Sequence, residues 1–188
     1  MLRRVKAQDA EAWWRFVHLY GPLIYRWCTQ AGVRTADMED IAQEVFRAVA
    51  AAIAGFRHDR SGDSLRGWLR QITRNKICDA IRKMPPGGEG VGGSDAQMHM
   101  LQVAEQALSD LDPASAEADR LLLYRRAIES IMDDFEEHTR QAFYRVVVNG
   151  QSPADVASDL GMSINSVYLA RARIMRRIRE EFDGIIDE

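Results

Sequence analysis

Residues Ser152 to Glu180 read SPADVASDLGMSINSVYLARARIMRRIRE. Ser152, with Pro153 next and Asp155 three residues on, has the form of a capping box with proline at the first helical position. A short helix should run from there to Leu160. Gly161 suits the left-handed conformation of a sharp turn, and Ser163 can cap the helix that follows. Ala157 lies four residues before Gly161 and Val167 six after it. A small residue at the first position lets two helices cross closely, and a β-branched one at the second fills the angle between them. Val156, Leu160 and Ile174 complete a small core. This is the helix-turn-helix pattern, whose second helix lies in the DNA major groove. Asn165, Ser166, Tyr168 and Arg171 should then reach base edges, while Arg173, Arg176, Arg177 and Arg179 mostly meet phosphates.

That second helix carries five arginines between Arg171 and Arg179, yet the chain of 188 residues has a formal net charge of −3. The charge is unevenly placed. Arg57 to Lys83 holds eight basic and three acidic residues, and Pro85 to Asp119 holds seven acidic and none basic. Two basic blocks thus flank an acidic segment. No apolar run approaches the roughly 20 residues needed to span a bilayer, and no apolar signal core follows the N-terminal basic residues, so a cytoplasmic protein without membrane segments is expected. Cys28 and Cys78 sit in separate apolar-periodic segments and read as buried free thiols. No cysteine or histidine pair has metal spacing. Asp37, Glu39, Asp40 and Glu44 with His58 read as helix-end capping and solvation rather than a metal site. No phosphate loop or nucleophile triad occurs, so no cofactor and no catalysis are expected.

The chain as a whole reads all-α. From Asp9 to Gln30 the apolar stripe is Trp13, Phe16, Val17, Tyr20, Leu23, Ile24, Trp27 and Cys28. Gly21-Pro22 should kink or split that helix. Thr35 is the expected N-cap of the next, with Met38, Ile41, Val45 and Val49 inward and Gly55 at its end. Arg57 to Ser64 is a polar loop, followed by SLRGWLRQITRNKICDAIRK with Leu65, Trp68, Leu69, Ile72, Ile77 and Ile81 inward. Met84 to Ser94 is rich in proline and glycine. The expected organisation is one helical domain over 1–84, a flexible linker over 85–115 with a short helix near Met100 to Leu108, and a second helical domain over 116–188. In the second, helices are expected near Glu117 to Met132, with Leu121, Leu122, Tyr124, Ile128 and Ile131 as its stripe, and near Glu136 to Val148.

DIAQEVF at Asp40 to Phe46, then SLRGWLRQITRNKICD from Ser64, then a linker and a helix-turn-helix, resemble in this order the extracytoplasmic function sigma factors of bacterial RNA polymerase. The resemblance covers nearly the whole chain outside Met84 to Ser115. Leu65 stands where that family has an aromatic before the RGWL run. The resemblance implies two domains. Sigma region 2 binds core polymerase and the −10 promoter element, and sigma region 4 binds the −35 element through the helix-turn-helix. It implies that Asp40, Gln43, Glu44 and Arg47 face the polymerase clamp. They lie opposite Ile41, Val45 and Val49. It implies that Arg57, His58 and Arg60 capture a flipped −10 base, and that Arg66, Arg70, Arg74, Asn75, Lys76 and Arg82 line the adjacent DNA-facing helix.

The partners so implied are core RNA polymerase and promoter DNA, with room for an anti-sigma partner. Because the sequence ends soon after Phe182, control from outside the chain is the expectation. The acidic segment reads either as a nucleic-acid mimic inside the polymerase or as a spacer. The alternative to a sigma factor is a stand-alone helix-turn-helix regulator, which would bind duplex DNA unaided, usually as a dimer.

Overall fold

The computed structural model describes residues 1–57, 64–83, 93–109 and 113–186. These residues form helices and turns, with no strand among them. They divide into two compact units: Leu2–Leu123 with Gly184–Glu188, and Tyr124–Asp183 with Met1. No helix among the described residues is long and apolar enough to cross a membrane.

The first unit contains α1 (Leu2–Lys6), α2 (Ala10–Gln30), α3 (Thr35–Ala52), α4 (Leu65–Lys83), α5 (Gly93–Ala107) and the start of α6 (Pro113–Ile131). Its core is Phe16, Tyr20, Leu23, Ile24 and Trp27 of α2 with Val45 and Val49 of α3 and Leu65, Leu69 and Ile77 of α4, all buried. Each such side chain contributes about 1.5–3 kcal/mol through removal from water. Asp9 caps α2, its Oδ1 accepting from the Ala12 N–H at 2.9 Å. Gly32 (φ +72°) closes it, with the Val33 N–H reaching back to the Cys28 carbonyl at 3.0 Å. From the C-terminal tail, the Ile185 carbonyl accepts from the Tyr20 hydroxyl at 2.6 Å.

Four expectations change here. α2 runs unbroken through Pro22. The preceding residue, Gly21, has no Cβ to meet the proline ring, which removes part of the clash that disfavours helix before proline. The N-cap of α3 is Arg34, not Thr35. Arg34 instead holds Asp37 in the first turn through two hydrogen bonds of 2.7 and 3.0 Å, and the carboxylate lies near the positive end of the helix. The third change concerns the linker. Gly93–Ala107 is a helix packed on α4, with Ala104 and Leu108 buried. Gln97 donates to the Ile81 and Arg82 carbonyls at 2.8 and 3.3 Å, partnering groups that the last turn of α4 leaves open. The expected flexible linker over 85–115 is therefore helical across this part; Met84 to Gly92 lie outside the described residues.

The fourth concerns α6. Its buried row is Asp119, Leu123, Ala127 and Ile131, at strict four-residue spacing, while Leu121 is exposed. The expected stripe was built on the apolar residues alone and so missed a row that begins with a carboxylate. The division between units falls at Leu123–Tyr124, inside α6, rather than at 115–116.

In the second unit, α6 ends in a single 3₁₀ turn, Met132–Asp134. Then come α7 (Glu137–Phe143), a π-helical turn Tyr144–Val148, α8 (Pro153–Leu160) and α9 (Ile164–Glu181). The helix expected over Glu136 to Val148 is thus half α and half π. Ser152 caps α8, accepting from the Asp155 N–H at 3.1 Å. Gly161 takes φ +63°, and the Met162 N–H reaches the Ala157 carbonyl at 2.9 Å. Ser163 caps α9 through the Ser166 N–H at 3.0 Å. Ala142, Val156, Ala157, Val167 and Ala170 form the core of the corner, with Val146, Leu160 and Met162 against it.

Candidate nucleic-acid and polymerase interfaces

The buried residues of α9 are Val167, Ala170, Ile174 and Ile178. Helical geometry places Asn165, Leu169, Ala172 and Arg176 in one row on the opposite side. Every residue of that row is exposed, as are Tyr168, Arg171, Arg173 and Arg179. The helix begins at a serine cap on a left-handed glycine turn, so its N-terminal half is held by backbone chemistry and its outer face is open. Two expected DNA contacts are partly occupied. The Ser166 hydroxyl lies 2.8 Å from that of Ser163. Arg177 is half-buried between Asp134 and Glu181, 3.1 Å from each. It serves first to join α9 to the turn after α6. Arg176 has a looser partner, Glu180 at 3.8 Å.

On α3, Asp40, Gln43, Glu44 and Arg47 are all exposed, opposite the buried Ile41, Val45 and Val49. Arg47 pairs with Glu44 and lies 3.4 Å from the Gln43 Oε1. Lys76, on α4, approaches Glu44 at 3.8 Å. The acidic face of α3 and the basic helix α4 therefore meet along one edge.

The basic helix α4 differs most from its expected form. Arg70 is only 2% exposed. Its Nη1 donates to Asp119 Oδ2 at 3.1 Å, and its Nη2 to the Ala107 carbonyl at 3.2 Å and to Ser115 Oγ at 3.4 Å. The fully buried Asp119 also accepts from Trp27 Nε1 at 2.8 Å and from Arg26 Nε at 3.2 Å. Arg66 lies 3.8 Å from the same carboxylate, its side chain one-fifth exposed. The expectation that Arg70 presents its charge to DNA is corrected, while Arg66 keeps part of its side chain in solvent. Arg70 is a core residue of a buried ion cluster, and Arg66 leans into it. A buried guanidinium is tolerable only with such partners, because an unpaired charge in the interior is strongly unfavourable. The spacing carried this signal: Arg70, Ile77 and Ile81 fall at i, i+7 and i+11, all buried. The buried Trp27 indole N–H likewise needed an acceptor.

Arg57, Asn75 and Arg82 are exposed, and Arg74 is half-buried. Gln71 donates to Asn75 Oδ1 at 3.0 Å. His58 and Arg60 lie outside the described residues. Trp68 packs against Phe56, ring centroids 5.1 Å apart. Burial pushes the Cys28 thiol up to about 11 and raises that of Cys78 as well, so both are protonated near neutrality. Among the described residues no group of three or more histidine, cysteine or carboxylate side chains could hold a metal ion.

Residues 16–84, which include α3 and α4, match the family described as Sigma-70 region 2. The chain is 26% identical over 173 residues to RNA polymerase sigma factor CnrH of Cupriavidus metallidurans, covering 88% of this chain and 84% of that protein. It is 26% identical over 164 residues to the ferric citrate uptake sigma factor FecI of Escherichia coli, covering 84% of this chain and 86% of that protein. With ECF RNA polymerase sigma factor SigW of Bacillus subtilis it shares 30% identity over 113 residues, 58% of this chain and 59% of that one. The chain thus carries a Sigma-70 region 2 over residues 16–84 and is similar along most of its length to curated RNA polymerase sigma factors. The residues that sequence reasoning missed are Asp119 and Arg26, which complete the buried cluster, and Ile164 and Leu169, apolar side chains left exposed on α9.

Proposed function

We propose that this chain is an extracytoplasmic function sigma factor that directs bacterial RNA polymerase to specific promoters and supports initiation there, in the cytoplasm and without catalysis of its own. One observation carries the reading. A single chain holds a Sigma-70 region 2 and, in a separate unit, a helix-turn-helix whose second helix is capped, glycine-turned and open on its outer face. In this reading residues 1–84 bind core polymerase and the −10 element, and within the expected 116–188 it is the second unit, from Tyr124, that reads the −35 element. Asn165, Tyr168 and Arg171 contact base edges, with Ser166 constrained by its tie to Ser163. Arg173 and Arg176 contact phosphates. Arg57, His58 and Arg60 with Arg74, Asn75 and Lys76 serve the −10 side. Asp40, Gln43, Glu44 and Arg47 form the polymerase face, and an anti-sigma partner would compete for one of these surfaces.

The net charge of −3 opposes unaided promoter occupancy, because non-specific DNA affinity rests on cationic surface. The test is run-off transcription with core RNA polymerase. Promoter-dependent transcripts should require the chain, and the double substitution Asp40→Ala, Glu44→Ala should lower its affinity for core without changing its fold. Tight, sequence-specific duplex binding by the chain alone, with no transcript when core is added, would instead establish the stand-alone regulator.

A further inference from the structure

The outer row of α9 contains one residue that charge and hydrogen bonding do not explain. Leu169 is 46% exposed and lies one turn beyond Asn165, with Ala172 and Arg176 continuing the row. It has no part in the corner core, which is built from Val156, Ala157, Val167 and Ala170 on the other side of the helix. Ile164 is also exposed, but it stands at the first helical position and off this row. In the major groove the only apolar group on any base edge is the C5-methyl of thymine. An asparagine at a groove-facing position is matched in geometry to the N6/N7 edge of adenine.

We infer that Leu169 is a specificity-determining residue of the DNA-reading helix, taking the methyl group of a thymine in the −35 element. That thymine lies within one or two base pairs of the base read by Asn165. Residues four apart on a helix are separated by about 6 Å along its axis, comparable to one or two steps of 3.4 Å along a DNA strand. Ala172, the next residue of the row, is small and leaves the leucine room to enter the groove. The inference rests on the sigma-factor reading and deepens it: an arginine-rich helix can hold the backbone of any sequence, whereas a methyl contact distinguishes thymine from the other three bases.

The test uses holoenzyme reconstituted from core polymerase and the full chain, and promoter fragments randomised over the −35 element. Wild-type holoenzyme should enrich a motif containing one thymine whose preference disappears with Leu169→Ala and persists with Leu169→Met, the other positions being unchanged. Each thymine of the enriched motif is then replaced singly by deoxyuracil, which keeps every hydrogen-bonding group and lacks only the methyl. One replacement should weaken wild-type binding by about three- to five-fold, the scale of one buried carbon group. It should leave the Leu169→Ala holoenzyme unaffected. Equal sensitivity in wild type and Leu169→Ala, or no sensitive thymine at all, overturns the inference while leaving the sigma-factor reading intact. Failure of wild-type holoenzyme to enrich any motif overturns that reading, and the inference with it.

Discussion

Helices α4 and α9 are both rich in arginine, and their arginines meet opposite fates. On α4 the guanidinium of Arg70 is buried against Asp119, with Arg66 drawn toward the same carboxylate. On α9 the arginines in the middle of the helix, Arg171 and Arg173, stand in solvent. Neither helix determines this from its own composition. Within α4 the one acid is Asp79, near the far end, and α9 has none before Glu180. What separates them is an acid 49 residues from Arg70 in sequence, supplied by α6. The lesson is that a basic helix is a nucleic-acid surface only where the fold brings no carboxylate to it. Among the described residues no carboxylate is paired with Arg171 or Arg173, whereas the start of α4 faces Asp119.

The largest effect is expected at Asp119. Asp119→Ala leaves Arg70 buried without its main partner and should destabilise the first unit by about 3–5 kcal/mol. Urea unfolding followed by tryptophan emission would measure it, since Trp27 sits in the cluster. A loss below about 1 kcal/mol would mean that Arg70 escapes to solvent at little cost, and that α4 can present it to DNA after all.

A smaller effect separates the two units by pH. Both cysteines lie in the first unit. Cys28 has a folded pKa of about 11 against an ordinary 9.0. Between these values the unfolded chain loses the thiol proton and the folded one keeps it, so stability falls as pH rises through that window. Cys28→Ala should flatten the slope of first-unit stability between pH 9 and 11 and leave the second unit unchanged. An identical slope in the variant would show that the thiol is not shielded.

The smallest effect on stability belongs to α9. Arg171→Ala should change unfolding free energy by no more than about 0.5 kcal/mol, as for an exposed residue. Yet it should weaken promoter binding by holoenzyme. If its contact is to a phosphate rather than a base edge, the salt-dependence slope falls by about one and all sequences weaken alike. Loss of preference at a single base pair instead would place it among the base-reading residues. A loss of stability as large as that of Asp119→Ala would erase the distinction between the two helices.

The C-terminal corner was legible in the sequence to an unusual degree, because its determinants are local. Ser152, Gly161 and Ser163 act on backbone groups within a few residues, and their spacing alone dictates a capped helix, a left-handed turn and a second capped helix. The exposed row Asp40, Gln43, Glu44 and Arg47 was also legible, since it is the complement of an apolar stripe on the same helix. The Asp119 cluster was not read. Its buried row on α6 begins with a carboxylate, and Arg70 occupies an inward position on α4; counted as charges, both look like surface residues. The helix α5 was foreseen only near Met100 to Leu108, because the glycine-rich stretch before it suggested a longer disordered run.

An all-α chain, a helix-turn-helix with an arginine-bearing second helix, and a motif order resembling one family of sigma factors are all written in local sequence. Those follow from periodicity, capping and turn chemistry, which depend on neighbours a few residues apart. Which of Arg70, Arg171 and Arg173 stays in solvent depends on packing between distant helices. Pairing between Arg70 and Asp119 requires α4 and α6 to pack, and a charge leaves water only when another, distant in the chain, is brought within hydrogen-bond reach.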